Sequence, residues 1–90
     1  MTLAMWAARR SWPKLLQMLL AASADPNARD ADEHTPLLHA IDSDSFDGVK
    51  LLLAAGADMQ CRDPLGRNVA EIARQQDCHR IARYLEPLVE

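Results

Sequence analysis

The most reactive side chains of this chain are two cysteines and three histidines: Cys61, Cys78, His34, His39 and His79. Cys78 and His79 are adjacent, and adjacent residues on a helix point about 100° apart, so the imidazole would not face the thiol. The pair therefore does not predict a nucleophilic site, which needs the base within hydrogen-bonding reach of the thiol. We interpret Cys78 and His79 as a small and a polar residue at a helix start, and we predict no catalytic residue.

Metal binding is the second chemistry that these side chains could support. His34 and His39 have the spacing of one zinc-ligand pair, but no second pair accompanies them. We expect His34 at a loop tip and His39 inside a helix. Residues 42–48 look like a calcium loop, yet Phe46 and Asp47 stand where the loop needs an oxygen ligand and a glycine. The sequence therefore predicts neither a metal site nor a cofactor.

Composition narrows the class of protein further. The 90 residues fit one small domain, and 49% hydrophobic with only 4% aromatic residues favours closely packed small helices. A formal net charge of −3 argues against nucleic acid as the main ligand, because phosphate binding needs a basic surface. The longest apolar stretch, residues 15–22, is too short to span a bilayer, and the first ten residues lack the order of a secretory signal. We therefore predict no membrane partner. Two cysteines are too few for a disulfide scaffold, so we predict a cytoplasmic or nuclear location.

A repeat with a period of 33 residues organises the whole sequence. Residues 23–25 (Ser-Ala-Asp) recur as residues 56–58 (Gly-Ala-Asp), and residues 29–30 recur as residues 62–63, without any insertion. The same step connects Thr2, Thr35 and Asn68. A fixed period of this length is the signature of repeat architectures, in which each unit buries its apolar face against its neighbours.

The residues within this period resemble the ankyrin family. Residues 35–40 (Thr-Pro-Leu-Leu-His-Ala) are similar to its T-P-L-H-x-A signature, and Gly-Ala-Asp at 56–58 is similar to its G-A-D signature. The resemblance implies an all-α ankyrin-repeat solenoid, in which each repeat has two antiparallel helices followed by a projecting hairpin-like loop. It also implies a single domain over residues 1–90, with repeats at approximately 1–29, 30–62 and 63–90.

Local signals place the helices within these repeats. Thr35 before Pro36 is a favourable helix start, because threonine can cap and proline at the first position needs no hydrogen bond for its nitrogen. Pro13 opens a helix for the same reason, and Gly56 ends one in the left-handed conformation. We predict helices at 3–9, 13–22, 36–41, 47–55, 69–76 and 79–86, with loops at 24–34 and 57–67.

Three positions depart from the family pattern. His39 stands where the family has an apolar residue, and its counterparts are Trp6 and Ile72, so we predict a buried histidine that hydrogen-bonds to a backbone group. Glu33 replaces a loop glycine, whose conformation would penalise a side chain. Gly48 replaces a β-branched core residue, which predicts a weaker helix and looser contacts around it.

The resemblance implies that partner proteins bind to loop tips and to the ends of the first helix in each repeat. Matched by position, these places are Arg9, Arg10, Ala31, Asp32, His34, Asp42, Ser43, Pro64, Leu65, Arg67, Gln75 and Gln76. Residues 25–58 carry eight acidic and two basic residues, a net charge of −6, and basic residues flank this segment. We therefore predict a partner protein that presents a basic segment, since complementary charge speeds association.

Three functions agree with the sequence. The first is a scaffold or adaptor segment of a larger protein. The second is a stand-alone ankyrin-type inhibitor of an enzyme such as a cyclin-dependent kinase, which residues 63–67 and 82–85 resemble. The third is a substrate of an asparaginyl hydroxylase, because Asn27, with Asp25 and Leu19 before it, resembles the modified ankyrin site.

The first repeat is unusually apolar for the end of a repeat array. Its residues with little polar surface are Leu3, Met5, Trp6, Trp12 and Leu15. Terminal repeats of soluble arrays need a polar outer face. We therefore expect either further repeats before this one or self-association through the N-terminal face.

Overall fold

The computed structural model shows three stacked pairs of antiparallel helices, and it describes residues 2–32, 34–60, 62 and 65–89. Over these residues the helices are α1 (Leu3–Arg9), α2 (Pro13–Ala21), α3 (Pro36–Asp42), α4 (Phe46–Ala54), α5 (Val69–Gln75) and α6 (His79–Val89). The inner helices α1, α3 and α5 contact one another in series, and so do the outer helices α2, α4 and α6. The predicted helices are confirmed, but α6 is longer than predicted because it continues through Pro87 to Val89.

Each inner helix begins at a side-chain cap. The Thr2 and Thr35 hydroxyls accept hydrogen bonds from the amides of Met5 and Leu38 at 3.2 and 3.4 Å. Asn68 takes the same place in α5, and Glu71 reaches back to the Asn68 amide at 3.2 Å, which completes a capping box. These caps satisfy amides that have no partner within the helix, so they set where each inner helix starts.

Residues with positive φ follow the helices, and equivalent ones are separated by one repeat period. Ser11, Asp44 and Asp77 follow the inner helices with φ of 56°, 53° and 59°. Ser23 and Gly56 follow the outer helices with φ of 71° and 93°. Both sets are 33 residues apart, so the backbone repeats where the side chains differ.

The core lies between the inner and outer helices, and equivalent residues of successive repeats are buried together. Leu16, Val49 and Ala82 are one period apart and all buried. Trp6 is 43% exposed, while its counterparts His39 and Ile72 are 1% and 6% exposed. The reason is that α1 packs on α3 and α3 packs on α5, which leaves the first inner helix uncovered on that side. The prediction that His39 is buried is confirmed.

The backbone at Gly48 packs closely against Ser45 and Ala40, so the prediction of looser contacts is wrong. Its amide donates to the Ser45 hydroxyl at 3.2 Å, which caps α4. A Cβ at position 48 would lie 2.8 Å from that hydroxyl and 3.4 Å from the Ala40 Cβ, so a side chain there would have to displace the cap. Glu33, the other departure in this repeat, lies outside the described residues.

Candidate partner-binding surface

A groove between the second and third repeats collects predicted contact residues from two loops and two helix ends. It encloses about 360 Å³. Leu38 of α3 and Ile72 of α5 are almost fully buried and form its floor. Five predicted residues line the rest: His34, Asp42, Leu65, Arg67 and Gln76. Pro64, also predicted here, lies outside the described residues.

Hydrogen bonds connect the inner-helix ends across the stack. The Gln76 side-chain amide donates to the Asp42 carboxylate at 3.2 Å. One residue further, the Ser43 hydroxyl donates to the backbone carbonyl of Arg9. These contacts bring Arg9, Ser43, Asp42 and Gln76 into one row along the ends of the inner helices.

The other predicted contact residues lie outside the groove. The Arg10 guanidinium stacks 4.5 Å from the centre of the Trp6 ring. Ala31 and Asp32 are exposed in the first loop. Gln75 lines an adjoining open depression, which shares Arg67 with the groove. Of the predicted positions that the structure describes, five therefore line the groove and the others lie around it.

Acidic charge in the middle of the chain is divided between two faces. Asp42 lines the groove, where Arg67 also lies, and Asp32 is exposed on the neighbouring loop. Asp47 instead lies on the outer face, beside Lys14 and Lys50. The net charge of the segment thus overstates the acidity of the groove.

Asp30, His34 and His39 form a cluster at the start of α3. The Asp30 carboxylate accepts backbone hydrogen bonds from Asp32 and His34, both at 2.9 Å, and its second oxygen lies 2.9 Å from His39 Nε2. The His34 amide contributes most to holding the pKa of Asp30 at about 2, and the His39 side chain lowers it further. The partner of His39 Nε2 is thus a carboxylate, and the prediction of a backbone partner is wrong.

The two histidine rings are close neighbours, although the sequence analysis placed them in separate elements. Their centroids are 5.6 Å apart and the ring planes are perpendicular. The bonds from the His34 amide to Asp30 Oδ1 and from the Asp30 amide to the His34 carbonyl close the loop over the start of α3. Loop closure, which spacing alone does not show, brings His34 to His39.

Asn27 connects the first two loops. Its side-chain nitrogen donates to the Gly56 carbonyl at 3.3 Å, and its side-chain oxygen accepts from the Asp58 amide at 2.6 Å. The Asn27 backbone amide donates to the Asp25 carboxylate at 2.8 Å. These hydrogen bonds give Asn27 a structural role. Hydroxylation of Asn27 stays a prediction.

Cys78 faces the preceding repeat. Its thiol donates to the Ile41 carbonyl at 3.3 Å, and burial raises the pKa of the thiol to about 11. His79 is exposed. The thiol is therefore protonated at neutral pH and is a poor nucleophile.

Comparison with known proteins identifies this arrangement of helices and loops. A family model described as ankyrin repeats (3 copies) matches residues 1–63. The chain belongs to the ankyrin-repeat family. The family is a protein-interaction module and is generally non-catalytic, and the all-helical stack is consistent with its solenoid fold.

Relatives of this ankyrin-repeat chain differ in their overall roles. It is 36% identical over 70% of its length to human "Transient receptor potential cation channel subfamily A member 1". It is 39% identical over 73% to "Ankyrin repeat and LEM domain-containing protein 1 homolog" of Caenorhabditis elegans, and 34% identical over 84% to "Cyclin-dependent kinase inhibitor 2A" of Monodelphis domestica. The chain spans 6%, 9% and 45% of these proteins.

The ankyrin-repeat chain also has site residues that the sequence analysis missed. Leu38 and Ile72 form the groove floor, and Asp30 joins the two histidines. The available signal for the floor was an apolar residue within the signature of the second repeat, Leu38, and one at the equivalent of its His39, Ile72.

In the described part of the chain, no helix is long and apolar enough to cross a membrane.

Proposed function

We propose that this chain is a scaffold or adaptor segment that binds a partner protein across the groove between its second and third repeats. The observation that supports this most directly is the meeting of five predicted contact residues in one groove. Hydrogen bonding between Asp42 and Gln76 orders the groove wall before a partner arrives. Such preorganisation reduces the ordering cost of binding.

The groove suits a peptide segment that carries both an apolar and a basic side chain. Leu65 is 77% exposed at the rim, above the apolar floor of Leu38 and Ile72. Asp42 and Asp32 are exposed acids that form no ion pair among the described residues. An apolar side chain would pack on Leu65 and the floor, while the acids would attract a basic neighbour.

Site-directed photocrosslinking tests this proposal in native extract. A photoreactive residue at position 65 should crosslink to a partner, while one at position 47, on the outer face, should not. Reversing the charges with Asp32→Arg and Asp42→Arg should slow association at low salt, whereas Asp47→Arg is the matched control. Equal crosslinking from both faces, or an association rate unaffected by the Asp32 and Asp42 reversals, would remove the proposal.

Enzyme inhibition is a second candidate function. The Monodelphis domestica relative named "Cyclin-dependent kinase inhibitor 2A" matches 84% of this chain, and that match favours an inhibitor of a cyclin-dependent kinase. Adding the purified chain to an active cyclin-dependent kinase should then lower phosphate transfer in proportion to its concentration. Full kinase activity at micromolar chain would reject this candidate.

Self-association is a further proposal, supported by the N-terminal face. Leu3, Trp6 and Trp12 are 54%, 43% and 54% exposed there, which is unusual for large apolar side chains. Sedimentation should show dimers that Trp12→Gln weakens. A monomer at all concentrations would count against this.

The free, buried thiol of Cys78 supports an intracellular location.

A further inference from the structure

We propose that Asp30, His34 and His39 form a zinc-binding site. Each offers one ligand atom, and the three atoms lie within 4.8 Å of one another. Two imidazoles and a carboxylate are a common zinc ligand set, and they also suit other first-row divalent metals. Asp30 comes from the first loop and His39 from α3, and folding brings the three ligand atoms together.

The Asp30 carboxylate is already oriented as a metal ligand. Its Oδ1 atom accepts two backbone hydrogen bonds, from Asp32 and His34, and this leaves Oδ2 directed at His39. Metal ligands in proteins are typically held by such outer hydrogen bonds, which fix their direction and basicity. The loop therefore supplies the outer support that a site of this kind needs.

The distances require only a small rearrangement. With metal–ligand bonds near 2.0–2.1 Å, the ligand atoms of a tetrahedral zinc ion are roughly 3.4 Å apart. The distance of 2.9 Å between His39 Nε2 and Asp30 Oδ2 must lengthen slightly when zinc binds. The longest distance among the three ligand atoms, which is at most 4.8 Å, must shorten. His34 is half-buried on the loop, and rotation of its side chain can provide most of this movement.

One imidazole of the cluster takes no part in its hydrogen bonds. The ring nitrogens of His34 accept or donate no described hydrogen bond, so they are available to a ligand. The Asp30–His39 contact therefore explains only part of the arrangement.

Solvent reaches the site through the groove. His34 lines the groove wall, so an ion can enter from that side. Three protein ligands leave a fourth position for water, or for a side chain of a bound partner. Zinc binding would thus stiffen the first loop, next to Asp32 and the groove.

Titration of the metal-free protein with zinc sulfate tests the site. We expect one zinc ion per chain, competition with a chromophoric chelator, and a higher melting temperature for the zinc-loaded chain. His34→Gln should weaken binding by at least about tenfold, because it removes one of three ligands. His79→Gln, which changes an exposed histidine at the start of α6, is the matched control and should bind normally.

Three further measurements separate the proposed site from other causes. Cys61→Ser removes a thiol that could bind zinc on its own, and binding should survive this change. Cobalt in place of zinc should give visible absorption typical of a four-coordinate site in the native chain and not in His34→Gln. Circular dichroism of His34→Gln should show that the fold is intact.

Three results would overturn the proposal. The first is no zinc binding by the native chain at micromolar concentration. The second is equal affinity in native and His34→Gln protein, and the third is loss of binding in Cys61→Ser. Because these measurements use no partner protein, they succeed or fail independently of the function proposed for the groove.

Discussion

Gly48 and Ser45 provide a sensitive test of how the helix start of the second repeat is built. We consider Gly48→Ala in the native chain and in Ser45→Ala. The Ser45 hydroxyl accepts a hydrogen bond from the Gly48 amide at 3.2 Å. A Cβ on residue 48 would lie only 2.8 Å from that hydroxyl. Adding a methyl group should therefore displace the capping hydroxyl from its place.

Two opposing effects decide the result. Replacing a helical glycine by alanine stabilises by about 0.5–1 kcal/mol, because the unfolded glycine has more freedom to lose. Losing a serine cap costs about 1 kcal/mol. In the native chain these terms should nearly cancel, leaving Gly48→Ala within about 0.5 kcal/mol of neutral by the same terms. In Ser45→Ala the cap is already absent, so Gly48→Ala should stabilise by about 0.5–1 kcal/mol.

Urea unfolding of the four proteins, followed by circular dichroism, measures the coupling between the two residues. We expect a coupling energy of about 1 kcal/mol, provided that the m-values agree among the variants. If Gly48→Ala stabilises both backgrounds equally, the hydroxyl does not occupy the space beside residue 48. If it destabilises both backgrounds by about 1 kcal/mol or more, contact with Ala40 outweighs the cap, and the reasoning is also refuted.

Three further predictions concern the turns, the loops and the buried thiol. Ser23→Gly should stabilise by up to about 1 kcal/mol and Gly56→Ala should destabilise by about 1 kcal/mol, since both positions have positive φ; unchanged urea midpoints would contradict this. Asn27→Ala should cost about 1 kcal/mol by removing two bonds to the next repeat, while Gln60→Ala at the equivalent position should stay within about 0.5 kcal/mol; equal losses in thermal unfolding would count against the link. The pKa of Cys78 rises from 9.0 to about 11 on folding, so the protonated thiol stabilises the fold fully below pH 9 and this contribution is lost as pH rises through about 11. The stability difference between the native chain and Cys78→Ser should therefore shrink across that window, and a difference independent of pH would show that the thiol is not buried.

The period and the helix signals predicted the fold because they are local and repeated. Thr35 caps α3 as its place before Pro36 indicated, and Gly56 has the positive φ expected of a residue that ends a helix. The end of α6 was placed too early, because the repeat pattern does not show how far a last helix continues through Pro87.

By itself, the sequence determined the family, the order of the helices and the equivalence of positions 33 residues apart, since caps, glycines and apolar spacing act over a few residues. Only the tertiary structure decided which side chains from different elements meet. It joined Asp30 to His39, connected Asn27 to the next loop, and placed Asp47 on the face away from Asp42. Such contacts depend on loop closure and on the angle between stacked helices, and neither leaves a periodic mark in the order of the residues.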